Sequence, residues 1–175
     1  HFWDNEKGGL FFSPDDASDL PLREKAFRDG AIPSGNSAAM LDLLRLSHLT
    51  GQPEWEDKAW QLARASGASA AGQTLGYTML LSSLDYGLGP SLQIALVGEK
   101  EDEDTIEMLK AIRERFLPSK SVLLSWGEET AEMAELARGL TKIEGRSAAY
   151  ICSGKSCRPP VNSPQELMLL LGEKN

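Results

Sequence analysis

Hydrophobic and polar positions alternate with a helical period three times between residues 33 and 88, and each predicted helix is different in kind. From about Ser37 to Leu49 the positions Ala38, Ala39, Met40, Leu41, Leu43, Leu44, Leu46 and Leu49 are apolar. They leave only a thin polar stripe of Asp42, Arg45 and His48, which predicts a helix surrounded on most sides. Gly51 supplies a stop, and Pro53 sits where a new helix tolerates a missing N–H. The next pattern, about 54 to 66, is two-faced: Trp55, Ala59, Leu62 and Ala63 oppose Glu54, Asp57, Lys58, Gln61 and Arg64. A third, about 73 to 87, carries Leu75, Met79, Leu80 and Leu84. A buried helix followed across a short loop by an amphipathic one predicts an αα-hairpin.

After "GLGPS" at 87 to 91 the rhythm changes to short apolar runs, "LQIALVG" (92 to 98), "SVLLSW" (121 to 126) and "SAAYICS" (147 to 153). Helical patterns follow them at about 102 to 116, with Ile106, Leu109, Ile112 and Phe116 as the apolar stripe, at about 128 to 138, and at about 164 to 171. Near-continuous apolar strands separated by helices predict a three-stranded parallel βαβαβα unit. The last helix opens on a capping box, Ser163 with Glu166, and has Pro164 at its first turn. The expected fold class is therefore α plus α/β, with helical hairpins over 1–90 and a small α/β domain over 91–175.

Composition narrows the function. The 175-residue chain carries a formal charge of −8, which opposes sequence-independent binding to nucleic acid. No run approaches the roughly 20 apolar residues of a membrane span, so neither nucleic acid nor membrane is an expected partner. A cytoplasmic protein is expected, and its two cysteines, Cys152 and Cys157, are expected to be free thiols, since their spacing is not CxxC. No further Cys or His stands near them to complete a tetrahedral site, so no metal is expected. The acidic run "EKEDEDT" sits at a helix N-terminus, where carboxylates are favoured by exposed amides. No GxGxxG or Walker-type loop follows a strand, and no cofactor is expected.

One polar cluster stands out. In "DGAIPSGNS", Asp29, Ser34, Asn36 and Ser37 converge at the start of the most apolar helix, after a segment that also carries Asp15 and Asp16. A single cap needs one side chain, so this cluster has two readings: a turn and cap, or the mouth of a small-molecule pocket, and the surplus of polar groups favours the pocket.

"GGLFFSPDD", "DGAIPSGNS", "LLRLSHLTGQPEWEDKA", "IALVG" and "AYICSGKSCRPPVNSPQEL", in this order, resemble the C-terminal part of the thioredoxin-domain-containing family typified by spermatogenesis-associated protein 20. The resemblance covers essentially the whole chain. It implies a C-terminal fragment in which residues 1–90 are the last hairpins of an (α/α)6 toroid similar to six-hairpin glycosidases. Its partners would be an N-terminal thioredoxin-like domain and the remaining toroid of the parent chain. Two functions follow: a non-catalytic scaffold or regulatory part, or a carbohydrate-like site. In the latter Asp29, Ser34, Asn36 and Ser37 line the pocket, Trp3 stacks on a sugar face, and Asp15, Asp16 and Asp29 are the candidate catalytic carboxylates. Without the missing hairpins the first helix cannot be fully covered, which predicts self-association through the N-terminal half or poor order there.

Overall fold

The computed structural model describes residues 1–17, 19–154 and 156–172. The chain divides into two compact units, His1–Ser47 with Gln52–Gly89, and His48–Gly51 with Pro90–Asn175.

The first unit begins with an irregular segment and continues through α1 (Gly35–Thr50), α2 (Pro53–Gly72) and α3 (Thr78–Leu88), a short 3₁₀ turn at Thr74–Gly76 preceding α3. Its core is Met40 and Leu44 of α1, Ala59, Leu62 and Ala70 of α2, and Tyr77, Leu80 and Tyr86 around α3. Pro53 occupies the first turn of α2, as its missing N–H allows. That helix runs past the expected end at 66 because "ASGASAAG" is rich in the strong helix former Ala. Gly67 has open space on its Cβ side, so it marks no close contact there. Gly87, by contrast, is tightly placed: a Cβ there would lie 3.1 Å from both Leu44 Cδ1 and the Trp60 ring, so those side chains would have to give by a few tenths of an ångström. Its absence lets α3 approach α1 and α2.

The first helix is covered on most sides, and most fully on one face. α1 buries Asn36, Ser37, Met40, Leu44 and Ser47, a single face at helical spacing, while Leu46 is 42% exposed and Leu41, Leu43 and Leu49 are only half-buried. Within this unit two helices and an irregular segment are too few to enclose a helix with leucines on every side.

The second unit is a four-stranded sheet in the order β2-β1-β3-β4, with β1 Leu92–Val97, β2 Lys120–Ser125, β3 Ala148–Ser153 and β4 Ser156–Cys157. α4 (Glu103–Glu114) and α6 (Pro164–Gly172) cover one face. There Ile94, Leu96, Ala149 and Ile151 meet Met108, Ala111, Ile112, Leu167 and Leu171. β1 and β2 are parallel, joined through α4, with Leu92 opposite Lys120 and Val97 opposite Ser125.

The expected all-parallel, three-stranded arrangement is corrected at β3, which runs antiparallel to β1 with Val97 opposite Ala148 and Gln93 opposite Cys152. A parallel β3 would need a connection that returns to the far end of the sheet. The intervening helix α5 (Glu128–Met133) has six residues, hence a length of about 9 Å, against about 20 Å for a six-residue strand. It is followed by a 3₁₀ turn at Glu135–Ala137 and a tight turn closed by the Ile143–Arg146 pair. The chain thus re-enters the sheet at the end it left, and β3 must run back.

The apolar stripe of α4 is also shifted by one position. Thr105, Met108, Ala111 and Ile112 are buried, whereas Ile106 is 53% exposed and Phe116, beyond the helix end, is 91% exposed. Polar contacts set this rotation. The Thr105 and Ser147 hydroxyls lie 2.7 Å apart, and Asp104 accepts the Ser147 N–H at 2.6 Å. That hydrogen bond, with others, holds the Asp104 carboxyl below its ordinary range. Asp102, Glu103 and Asp104 thus sit at the N-terminus of α4, where the helix dipole favours them.

Cys152 and Cys157 form a disulfide, so the expectation of free thiols is overturned. Five residues apart in sequence, they become directly opposite partners once the chain turns back between β3 and β4. Ser163 and Glu166 form a side-chain cap at α6: the Ser163 hydroxyl accepts the Glu166 N–H at 3.3 Å and donates to Oε2 at 2.9 Å.

Candidate functional site

The polar cluster that precedes α1 is a closed internal network. Ser34 is the residue before the helix, and its hydroxyl accepts the Ser37 N–H at 3.0 Å, an N-cap on the third residue. The two hydroxyls are 2.9 Å apart, and both lie near the Phe27 carbonyl, at 3.1 and 3.4 Å. Asn36 works as a substitute strand. Its Oδ1 accepts the Leu10 N–H at 2.6 Å, and its Nδ2 donates to the carbonyls of Leu10 and Ala26, each at 2.9 Å. The Asn36 amide therefore ties two stretches of irregular chain to the first turn of α1.

Asp29 does the same for α3. Its Oδ1 accepts the Ser34 N–H at 2.8 Å, and Oδ2 accepts Met79 N–H at 2.8 Å and Leu80 N–H at 3.4 Å. Met79 and Leu80 lie in the first turn of α3, whose orphan donors and dipole favour a carboxylate. Burial pushes the Asp29 pKa up, but the hydrogen bonds from Ser34, Ser37, Met79 and Leu80 outweigh it and hold the carboxyl below its ordinary value. Asp29, Ser34, Asn36 and Ser37 are all buried. A concavity of about 320 Å³ does adjoin the start of α1, but its walls are Phe2, Leu10, Phe11, Phe12, Ala26, Gly35 and Asn36. Of the four polar residues, Asn36 lines this concavity.

The remaining candidates fall elsewhere. Trp3 pairs with Leu10 in a β-bridge and packs against the core of the first unit. Trp3 and Asp15 line a second concavity of about 530 Å³, with Asp4, Phe11, Arg23 and Lys25. Its charges are largely paired already. Lys25 donates to Asp4 Oδ2 at 2.5 Å and to the Gly8 carbonyl at 3.0 Å. With the Lys7 and Glu6 N–H groups, it lowers the Asp4 pKa to about 2. A carboxyl so acidic is ionised at neutral pH and cannot serve as a general acid there. The aromatic faces are engaged as well: the Arg23 guanidinium lies 4.0 Å from the Phe11 centroid, and Lys58 Nζ lies 5.5 Å from that of Trp3.

Asp16 meets His1 and Asp15 at the surface, where one ligand atom from each lies within 4.8 Å of the others, and His1 Nδ1 is 2.6 Å from Asp15 Oδ1. The sequence gives little sign of this grouping, because fourteen positions separate His1 from Asp15. Three exposed donors can contact a cation but leave most of its coordination to water. Asp29 is remote in role from Asp15 and Asp16: it is a buried acceptor of backbone N–H groups, while they are exposed.

No family model matches the chain, and no solved structure matches it. Over 174 residues it is 32% identical to spermatogenesis-associated protein 20 of Rattus norvegicus and 30% identical to that of Homo sapiens. It is 27% identical over 166 residues to an uncharacterized protein of Caenorhabditis elegans. These alignments take in 97%, 97% and 95% of this chain and 22% of each relative. The chain thus spans about a fifth of the length of the relatives it matches.

Proposed function

We propose that this chain, a homologue of spermatogenesis-associated protein 20, acts as a non-catalytic scaffold or regulatory segment within a longer protein. The observation that carries the proposal is the closed network at Asp29, Ser34, Asn36 and Ser37. Every one of these side chains is buried and spent on holding the N-terminal segment to α1 and α3. A group that must meet a substrate keeps a free donor or acceptor facing the cavity, and these are bonded within the protein, Asn36 at its cavity wall included. The proposal keeps the expected parent architecture: α1 is fully buried on one face while Leu41, Leu43 and Leu49 are half-buried and Leu46 is exposed, which suits further helical hairpins of a toroid. A thioredoxin-like domain of the same parent would be the part thus supported.

A second reading rests on the 530 Å³ concavity, where Trp3 and Asp15 lie among cations and carboxylates in a form that suits a polar, sugar-like ligand. Thermal-shift measurement with neutral and acidic monosaccharides and oligosaccharides separates the two. The scaffold reading expects no shift with any of them. A ligand at a hundred times its dissociation constant adds about 2.7 kcal/mol, and such a gain, abolished by Trp3→Ala or Asp15→Asn, would replace the scaffold with the sugar site.

A further inference from the structure

We propose that the Cys152–Cys157 disulfide is an exchangeable redox site, opened by a dithiol and not by a monothiol. Three observations carry this. First, the bond lies at the edge of the sheet, across a hairpin whose outer strand β4 has only two residues; Cys157 is exposed and Cys152 half-buried. Cys157 Sγ is thus the sulfur that an incoming thiolate reaches, and Cys152 is the leaving group. On the other side of the bond, Cys152 lines a concavity of about 240 Å³ with Leu92, Ile151 and Arg158, which leaves room for the Cys152 thiolate once the bond has opened.

Second, the hairpin does not depend on the bond. The Arg158 N–H donates to the Ile151 carbonyl at 2.9 Å, and Ala149 and Val161 exchange two backbone bonds of 2.8 and 3.1 Å. The Arg158 guanidinium donates to the Leu170 carbonyl at 2.5 Å and ties the same stretch to α6. The chain leaving β4 stays anchored on β3 and α6 when the sulfurs part. Reduction is therefore a local event at the hairpin tip, while the apolar face of the sheet keeps its cover.

Third, the register decides which reductant succeeds. Attack by R–S⁻ on Cys157 Sγ breaks the S–S bond, forms an R–S–S–Cys157 mixed disulfide and releases the Cys152 thiolate. Because Cys152 and Cys157 are paired across the ladder, that thiolate is held beside the mixed disulfide at high effective concentration. It returns and expels a monothiol. A dithiol competes through its own second thiol, which attacks its own sulfur in the mixed disulfide and expels the Cys157 thiolate. The balance is one dithiol oxidised to a disulfide and one protein disulfide reduced to two thiols, with the two protons passing to Cys152 and Cys157.

The test incubates the native chain with dithiothreitol or with glutathione at equal total thiol, quenches with acid, and counts alkylated cysteines by mass. Dithiothreitol is expected to reduce both cysteines at a rate within about tenfold of that in denaturant, because local opening is cheap at an exposed hairpin. Glutathione is expected to leave the disulfide predominantly closed, and Cys152→Ser treated with oxidised glutathione is expected to exchange its Cys157 thiolate for one glutathione thiolate and accumulate a stable adduct, because no neighbouring thiol remains to expel it. The far-UV circular dichroism of the dithiol-reduced chain should match that of the oxidised one. Reduction that requires denaturant, loss of the sheet on reduction, or equal yields from the two reductants would each overturn the proposal.

Discussion

Replacing Asp29 with alanine removes one carboxylate and leaves three backbone donors without their partner: Ser34, Met79 and Leu80. Two of these bonds are 2.8 Å long, and the third, at 3.4 Å, is weak. Hydrogen bonds to charged acceptors contribute about 1.5 kcal/mol or more each in a buried setting. Asp29→Ala should therefore cost about 3 kcal/mol, most of it at the start of α3 and the turn into α1. In a unit of this size about 1 kcal/mol corresponds to roughly 4–8 °C, so its melting should fall by on the order of 15 °C.

The sign with pH is fixed by the lowered carboxyl pKa in the folded chain. Its stabilisation is fully present above the unfolded carboxyl value, near pH 3.9, and is lost as pH falls through the folded value. The gap between wild type and Asp29→Ala should be constant from neutral pH down to about 4 and close below it. Hydrogen exchange resolved by residue is the suitable assay, because a two-unit chain does not guarantee a single two-state transition. The amides of Met79 and Leu80 should lose the most protection. A destabilisation under about 0.5 kcal/mol, or a gain in stability, would refute the internal network and mark Asp29 as a residue kept for a ligand at the fold's expense.

Asn36→Ala strands the Leu10 N–H and the carbonyls of Leu10 and Ala26, and should cost about 2 kcal/mol, seen as a lower urea midpoint by tryptophan fluorescence. Carboxyl chemical shifts should place the Asp4 midpoint at about 2, and Lys25→Met should move it upward, since the Lys25 contact is its largest cause. Light scattering should show self-association of the chain, reduced by Phe12→Ser with Leu75→Ser, because these side chains are 89% and 92% exposed. A strict monomer whose 38 to 46 amides are as protected as 121 to 126 would show instead that the helical half is complete.

The strand positions are legible because each apolar run is continuous: 92 to 98 appears as Leu92–Val97, 121 to 126 as Lys120–Ser125 and 147 to 153 as Ala148–Ser153. Helices with start signals, such as Pro53 and Ser163, are placed nearly as well. Strand direction is not written in those runs. An apolar β3 pairs with β1 in either sense, and the path of the chain between 126 and 147, which comes back to the end of the sheet it left, decides it. β4 escapes notice because two residues carry no period. The disulfide follows from β4, so missing one means missing the other. In α4 the apolar residues fit two stripes one position apart, and the contest is settled by Thr105 and Asp104 reaching Ser147 across forty-two and forty-three positions.

The polar cluster is visible in the sequence, but its purpose depends on partners that sequence distance hides. Ser, Asn and Asp present the same donors and acceptors to a ligand as to a backbone. Local partners could be anticipated: Ser34 on Ser37 is an ordinary cap at a spacing of three. The others lie at separations of 26 for Asn36 with Leu10 and 50 for Asp29 with Met79. One physical cue was nonetheless available. Among the described residues before Ser34 there is no helix, and an irregular segment that packs the half-buried Trp3 and Phe27 against a core needs side chains to satisfy the backbone groups that its few backbone–backbone bonds leave over. A dense set of Asn, Asp and Ser where such a segment meets a helix is what that requirement selects, and it accounts for the surplus over a single cap without invoking a ligand.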